Sequence, residues 1–362
     1  MLKVLEHSTV YRNPQPNRVS EYVSFPSIQA LPDDTLLCMC QHGTARESDD
    51  TAVKIHRSTD GGRTWQPAGC LPQPSARAVG HSTPAGLGIA PDGDVVAWAR
   101  YPEAANNSQA HTCRSSDGGL NWSQPVRLDP SPFEGLAPSG NLATLPDGTM
   151  VAVAETWRQA ADPKLPQWWS LLTRSFDGGR TWEPIRIVHE SKDPYLFDLR
   201  ITALADGRLL GAYWTHDMRA DKGLNVHTTW SQDAGATWTD PHDTRFWGQV
   251  TNVCALRSGR VIAVTNHRRP PLGVRALLSS DGGATFEEQE HLELWGIEPA
   301  TVRSAPVLAD RRDVVEDALA AYHHFTFGTP TVTQLSDGTI VAAFYVSEEH
   351  VTYVRCCRMR EG

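Results

Sequence analysis

Long apolar runs are missing from this 362-residue chain: no stretch approaches the roughly 20 residues of a membrane helix, and MLKVLEHSTVYRNP at the start has no apolar core of secretory type. The expected location is therefore cytoplasmic, with no membrane partner. Clustered positive charge is missing too. The formal charge is −9 and Lys and Arg are scattered, which removes the electrostatic footprint of a nucleic-acid binder. The seven cysteines show no paired zinc-ligand spacing, and their odd number does not suit a disulfide framework. Most are expected to be small core residues. Cys38 and Cys40 would share one face of a strand, and Cys356 and Cys357 would take opposite faces. Low-complexity sequence is absent as well.

Two interleaved repeats are present. The first is an octapeptide: STDGGRTW from Ser58, SSDGGLNW from Ser115, SFDGGRTW from Ser175, SQDAGATW from Ser231 and SSDGGATF from Ser279. Its Asp can accept backbone N–H groups, its Gly can take a positive φ, and its closing aromatic offers a large apolar surface. The second is a short turn between alternating apolar runs: LPDDTLL, APDGDVV, LPDGTMV, LADGRLL, LRSGRVI and LSDGTIV. The interval from a short turn to the next octapeptide is 23 to 30 residues. The repeating unit is thus strand, short turn, strand, longer loop, strand, Asp turn, strand.

Six short turns predict an all-β, six-bladed propeller of four-stranded antiparallel blades, read as one domain over residues 1–362. The last blade has no octapeptide, so the strand around Leu2–Tyr11 is expected to complete it. One helix is expected over residues 310–322, where the apolar positions share a face.

Both kinds of turn lie at one end of such a ring, which leaves a site at the other. Eight to ten residues past each short turn stand His42, Arg100, Glu155, His216, His267 with Arg268, and Tyr345. Just beyond are Arg46, Glu47, Asp49, Asp50, Arg158, Asp217 and Arg269, and before the first strands come His81, Asp198 and Arg200. The candidate catalytic groups are Asp50, Glu155, Asp198, His216 and His267: carboxylates can divide acid and base roles across a glycosidic bond, and a histidine can move a proton. His42, Arg46, His81, Arg100, Arg158, Arg200, Asp217, Arg268 and Arg269 are candidate substrate contacts, because arginine can grip an anion with two parallel hydrogen bonds. Trp157, Trp168, Trp169 and Trp214 could stack on sugars or pack in the core. His42, His81, His216 and His267 have no ligand spacing on one element, so neither metal nor cofactor is expected.

The octapeptides resemble Asp-box (BNR) repeats, and the whole chain resembles the sialidase superfamily. That resemblance implies a saccharide substrate, held by three arginines and processed by a Tyr–Glu pair and an Asp. Asn266-x-Arg268 matches the middle arginine. Ser24 stands where the first would be, Thr329 at the tyrosine and Val250 near the glutamate; Asp49 or Asp50 matches the Asp, and the third arginine has no counterpart. The resemblance thus implies a divergent hydrolase of an acidic or modified saccharide. A lyase using His216 or His267, or a glycan-binding propeller without chemistry, are the alternatives.

Overall fold

The computed structural model describes residues 1–75, 79–104, 107–158, 167–297 and 326–362, the side chains of 104, 107, 108, 157 and 158 aside. The expected helix over 310–322 lies outside them. Six antiparallel sheets form the ring, and in five of them the chain runs from the innermost strand outward. Blade 1, for example, is Tyr22–Ala30, Leu36–Gly43, Ala52–Ser58 and Gln66–Cys70. The sixth takes three strands from the end of the chain, Phe327–Gln334, Ile340–Glu348 and Val351–Glu361, and its fourth from the beginning. Leu2–Tyr11 pairs with Val351–Glu361 from Leu2↔Glu361 to Tyr11↔Val354, the closure read from the missing octapeptide.

Second strands such as LLCMC, MVAVA and VIAV are apolar on both faces because each blade is sandwiched by two neighbours. The core is accordingly divided into clusters, each shared by two adjacent blades. Ile262 and Val264 of blade 5 meet Ile340, Ala342 and Phe344 of blade 6, and Leu37 and Met39 of blade 1 meet Leu87 and Ala97 of blade 2. The Asp-box aromatics seal these interfaces: Trp65 enters the cluster between blades 6 and 1, and Phe286 the one between blades 4 and 5. Within the first box, Asp60 Oδ1 accepts the Arg63 and Thr64 N–H groups at 3.0 Å each, and Ser58 Oγ accepts the Gly62 N–H at 2.8 Å. The boxes are structural, as their chemistry implied.

Cys38 and Cys40 are buried with their sulfurs 3.7 Å apart, and Cys356 and Cys357 enter different interface clusters, as strand geometry required. Cys70 differs: it ends the outer strand of blade 1 and is exposed.

The closing seam carries a buried polar chain. Tyr11 donates its hydroxyl to Glu21 at 2.7 Å, Glu21 faces His42 Nδ1 at 2.8 Å, and His42 Nε2 lies 3.1 Å from His56 Nε2. Burial drives the His56 pKa down to about 3, and the bond to His42 draws that of Glu21 down to about 2. Both groups are depressed relative to the unfolded chain, so their contributions are present above the unfolded values and are lost as the pH falls. His56 begins to lose its share below about 6.5, and Glu21 only below its ordinary carboxylate range. The melting temperature of wild type should therefore fall relative to that of His56→Gln as the pH drops from 7 to 4. Parallel curves for the two proteins would contradict this.

Candidate active site

An open cavity of about 210 Å³ occupies the end of the ring opposite the Asp boxes, and every blade contributes to its wall. The first strands do so through irregularities. Pairing with the second strand breaks register between Ser24 and Ser27, Pro84 and Gly86, Ser139 and Ala143, Phe197 and Arg200, and Gly328 and Thr331. Bulges re-aim side chains at the rims of closed sheets. Here Phe25, Asp198 and Thr329 take positive φ values of 49°, 52° and 45°, and all three line the cavity. Pro26, Pro84, Pro138 and Pro330 stand in four of these strands, and proline inside a strand is a sign of such interruptions.

Glu155 lies in the second strand of blade 3, Met150–Arg158, and Asp198 lies in the bulge of blade 4. The Asp198 backbone N–H donates to Glu155 Oε2 at 2.8 Å, and the Trp168 indole N–H donates to the same oxygen at 3.2 Å. Burial first, and then the Asp198 carboxylate, raise the Glu155 pKa to about 7. Asp198 is ion-paired with buried Arg200, Oδ1 to Nη2 at 2.8 Å. One carboxyl is thus biased toward its protonated form beside another that is ion-paired with Arg200, an arrangement that suits a division of acid and base roles.

Arg268 is 5% exposed at the wall between blades 5 and 6. Its Nη1 donates to Gln249 Oε1 at 2.6 Å and its Nη2 to the Phe327 carbonyl, and burial lowers its pKa to about 10. Arg46 lies over the Phe25 ring at 5.3 Å, and Arg100 contacts His81. Trp168, Phe197, Trp214 and Val250 form an apolar side.

The cavity therefore gathers Arg46, His81, Arg100, Glu155, Asp198, Arg200 and Arg268 from the sequence candidates. Others stand elsewhere. Asp50 caps its own loop through the Thr44 N–H at 3.1 Å, and Asp217 does the same with the N–H groups of Arg219 and Ala220 at 3.0 and 2.9 Å. His42 belongs to the seam. His216 is buried against Asp221 at 3.1 Å, and His267 binds the Pro271 carbonyl at 3.0 Å and abuts Trp247. Arg269 stacks on Trp247 at 4.3 Å and donates to the Gly223 carbonyl. The Arg158 side chain lies outside the described residues. Among those described, no group of three or more His, Cys, Asp or Glu is placed to hold a metal ion. Gln249, which pairs with Arg268, and Phe25, which lines the cavity, are residues that the spacing argument passed over; for Phe25 the adjacent proline was the available signal.

The BNR repeat-like domain model matches residues 34–341, most of the chain and all six short turns but the first residues of one. The chain belongs to the BNR repeat-like family. This BNR-repeat propeller is 23% identical over 292 residues to a sialidase of Bacteroides fragilis, a match covering 67% of this chain and 50% of that protein. It thus spans about half the length of that curated relative. Among solved structures, a Dyadobacter fermentans protein of unknown function superposes with a TM-score of 0.76 at 17% identity, covering 100% of this chain and 99% of the other. The α-L-arabinanase of Penicillium chrysogenum, solved with arabinobiose, gives 0.67 at 13% identity and 99% and 98% coverage. The NanB sialidase of Streptococcus pneumoniae gives 0.65 at 11% identity, with 98% of this chain and 70% of that one covered. The fold is that of the sialidase superfamily.

Proposed function

We propose that this BNR-repeat propeller is a glycoside hydrolase that removes a terminal acidic or modified sugar, with Glu155 as proton donor, Asp198 as the partner carboxylate and Arg268 as the anion anchor. The observation that carries this reading is the Glu155–Asp198 pair, one carboxyl biased toward its protonated form and the other ion-paired with Arg200 at the same cavity. Because Oε2 of Glu155 already accepts two N–H groups, its proton belongs on Oε1. From there it passes to the glycosidic oxygen as the C–O bond breaks. Asp198 either takes a proton from the incoming water or bonds to the anomeric carbon, and water supplies the hydroxyl of the released sugar. An open volume of about 210 Å³, below the roughly 300–1,000 Å³ of drug-sized clefts, supports a single sugar residue rather than a chain. The relatives include sialidases and an arabinanase, which supports saccharide hydrolysis without fixing the sugar.

Aryl glycosides of N-acetylneuraminic acid, uronic acids and arabinofuranose, followed for aglycone, reducing ends and ultraviolet absorbance together, test the proposal. Aglycone release from acidic sugars is the expected result, and the first anomer seen by NMR separates the two roles of Asp198. Absorbance from an unsaturated product would put elimination in its place. Silence in every channel would leave a binding protein. The elimination alternative relied on His216 or His267, and neither lines the cavity.

A further inference from the structure

Gln249 is 1% exposed, on the segment leading into the first strand of blade 5, Thr251–Ala255. Its backbone is fixed on both sides: its N–H donates to the Asn266 carbonyl at 3.0 Å, and its carbonyl accepts the Thr251 hydroxyl at 2.8 Å. Arginine offers only donors, so the amide oxygen must be the atom that meets Arg268, at 2.6 Å. On its other side the guanidinium is shaped by blade 6. Phe327 supplies a carbonyl and a ring 5.1 Å away, Tyr345 supplies a hydroxyl, and a Cβ on Gly328 would overlap Nη2. Arg268 is therefore aimed by a built cradle, and Gln249 contributes direction to it without contributing negative charge.

We infer that Gln249 is a specificity-determining residue, positioning Arg268 through a neutral amide so that the cavity prefers anionic over neutral sugars. The inference rests on the reading of Arg268 as the anion anchor. A carboxylate at position 249 would sit at charge-assisted bonding distance from the guanidinium and compete with any substrate anion for it. An apolar side chain there would leave the charge but remove its orientation. The selectivity of the site is thus set by a residue that need not touch the sugar.

Binding of N-acetylneuraminate, D-galacturonate, inorganic sulfate and neutral D-galactose is measured by calorimetry for wild type, Gln249→Glu, Gln249→Met and Arg268→Gln. Gln249→Glu should weaken the three anions at least about tenfold, leave D-galactose unchanged and keep or raise the melting temperature. Gln249→Met should weaken the anions several-fold and raise KM for an acidic substrate at constant kcat. A purely structural role would move neither ratio. Unchanged anion preference in both Gln249 variants, with that preference lost in Arg268→Gln, would overturn the inference alone. Preference that survives Arg268→Gln, or a wild type that binds none of the anions, would overturn the anchor reading and this inference with it.

Discussion

Glu155→Gln is expected to lower kcat by about 10²–10⁴-fold, the usual worth of a positioned proton donor, while leaving the propeller folded. The amide can still accept the Asp198 N–H and the Trp168 indole, so the wall keeps its shape and only the transferable proton is lost. The wild-type pH profile follows from the same environment. Since the Glu155 pKa lies at about 7, activity should decline as the pH rises through neutrality. Asp198→Asn removes the second cause of that elevation, and in any residual activity the alkaline limb should move to lower pH.

The Glu155→Gln substitution should affect stability in the sense opposite to its effect on activity. The folded-state pKa of Glu155 is raised above the unfolded value, so its neutral form is favoured by folding, and this contribution fades as the pH climbs toward 7 and beyond. An amide in place of this carboxyl would carry no such burden. The Glu155→Gln variant should therefore melt higher than wild type at pH 8 and gain little at pH 5. A variant that is inactive but equally stable at both values would place Glu155 outside a strained electrostatic environment. A fully active one would remove it from the chemistry altogether.

Gly86→Ala should be among the most damaging single methyl additions in the molecule, costing roughly 3 kcal/mol or more and lowering the yield of folded protein. A Cβ there would overlap the carbonyl of Gly140 and crowd the Asn141 backbone. Most small-to-large substitutions can be relieved by a side-chain shift. This one presses main chain against main chain, where the first strands of blades 2 and 3 converge toward the axis. The contact is also tied by the Leu87 N–H to Asn141 Oδ1 at 3.2 Å and by the Trp98 indole to the Gly140 carbonyl at 3.0 Å. Because Gly140 lines the cavity, any protein that does fold should also bind saccharide more weakly. Chemical denaturation of Gly86→Ala beside Gly93→Ala gives the comparison: Gly93 has a positive φ of 88° but nothing near its missing Cβ, so it should lose only local turn stability.

The blades were legible because turn chemistry repeats: every Asp box and short turn announces the strands beside it, and the want of an octapeptide in the last blade exposed the role of Leu2–Tyr11. The site was legible only in part. Counting eight to ten residues past a turn reaches the right end of each blade, but strand residues alternate between faces, so a count of eight reaches Arg100, Glu155 and Tyr345 at the cavity, whereas a count of nine reaches His42 and His267, which do not line it. Asp50 and Asp217 have the composition of catalytic groups and the geometry of loop caps, and a loop sequence does not distinguish an inward carboxylate from one folded onto its own backbone. Asp198 needed a bulge and a left-handed backbone to reach Glu155. Those are consequences of how blades 3 and 4 meet, which no local pattern carries.

The pairing of Leu2–Tyr11 with Val351–Glu361 has a consequence for biosynthesis. Leu2–Tyr11 is made about 340 residues before the strand it pairs with, so this sheet cannot be completed until Val351–Glu361 has been synthesised. At about 5–20 residues per second, synthesis leaves that strand waiting for roughly 20 to 70 s with an unsatisfied edge. Contacts spanning nearly the whole chain are also slow to form. The nascent protein should consequently depend on folding assistance until Val351–Glu361 has emerged, and slowing elongation should prolong its vulnerability instead of easing it.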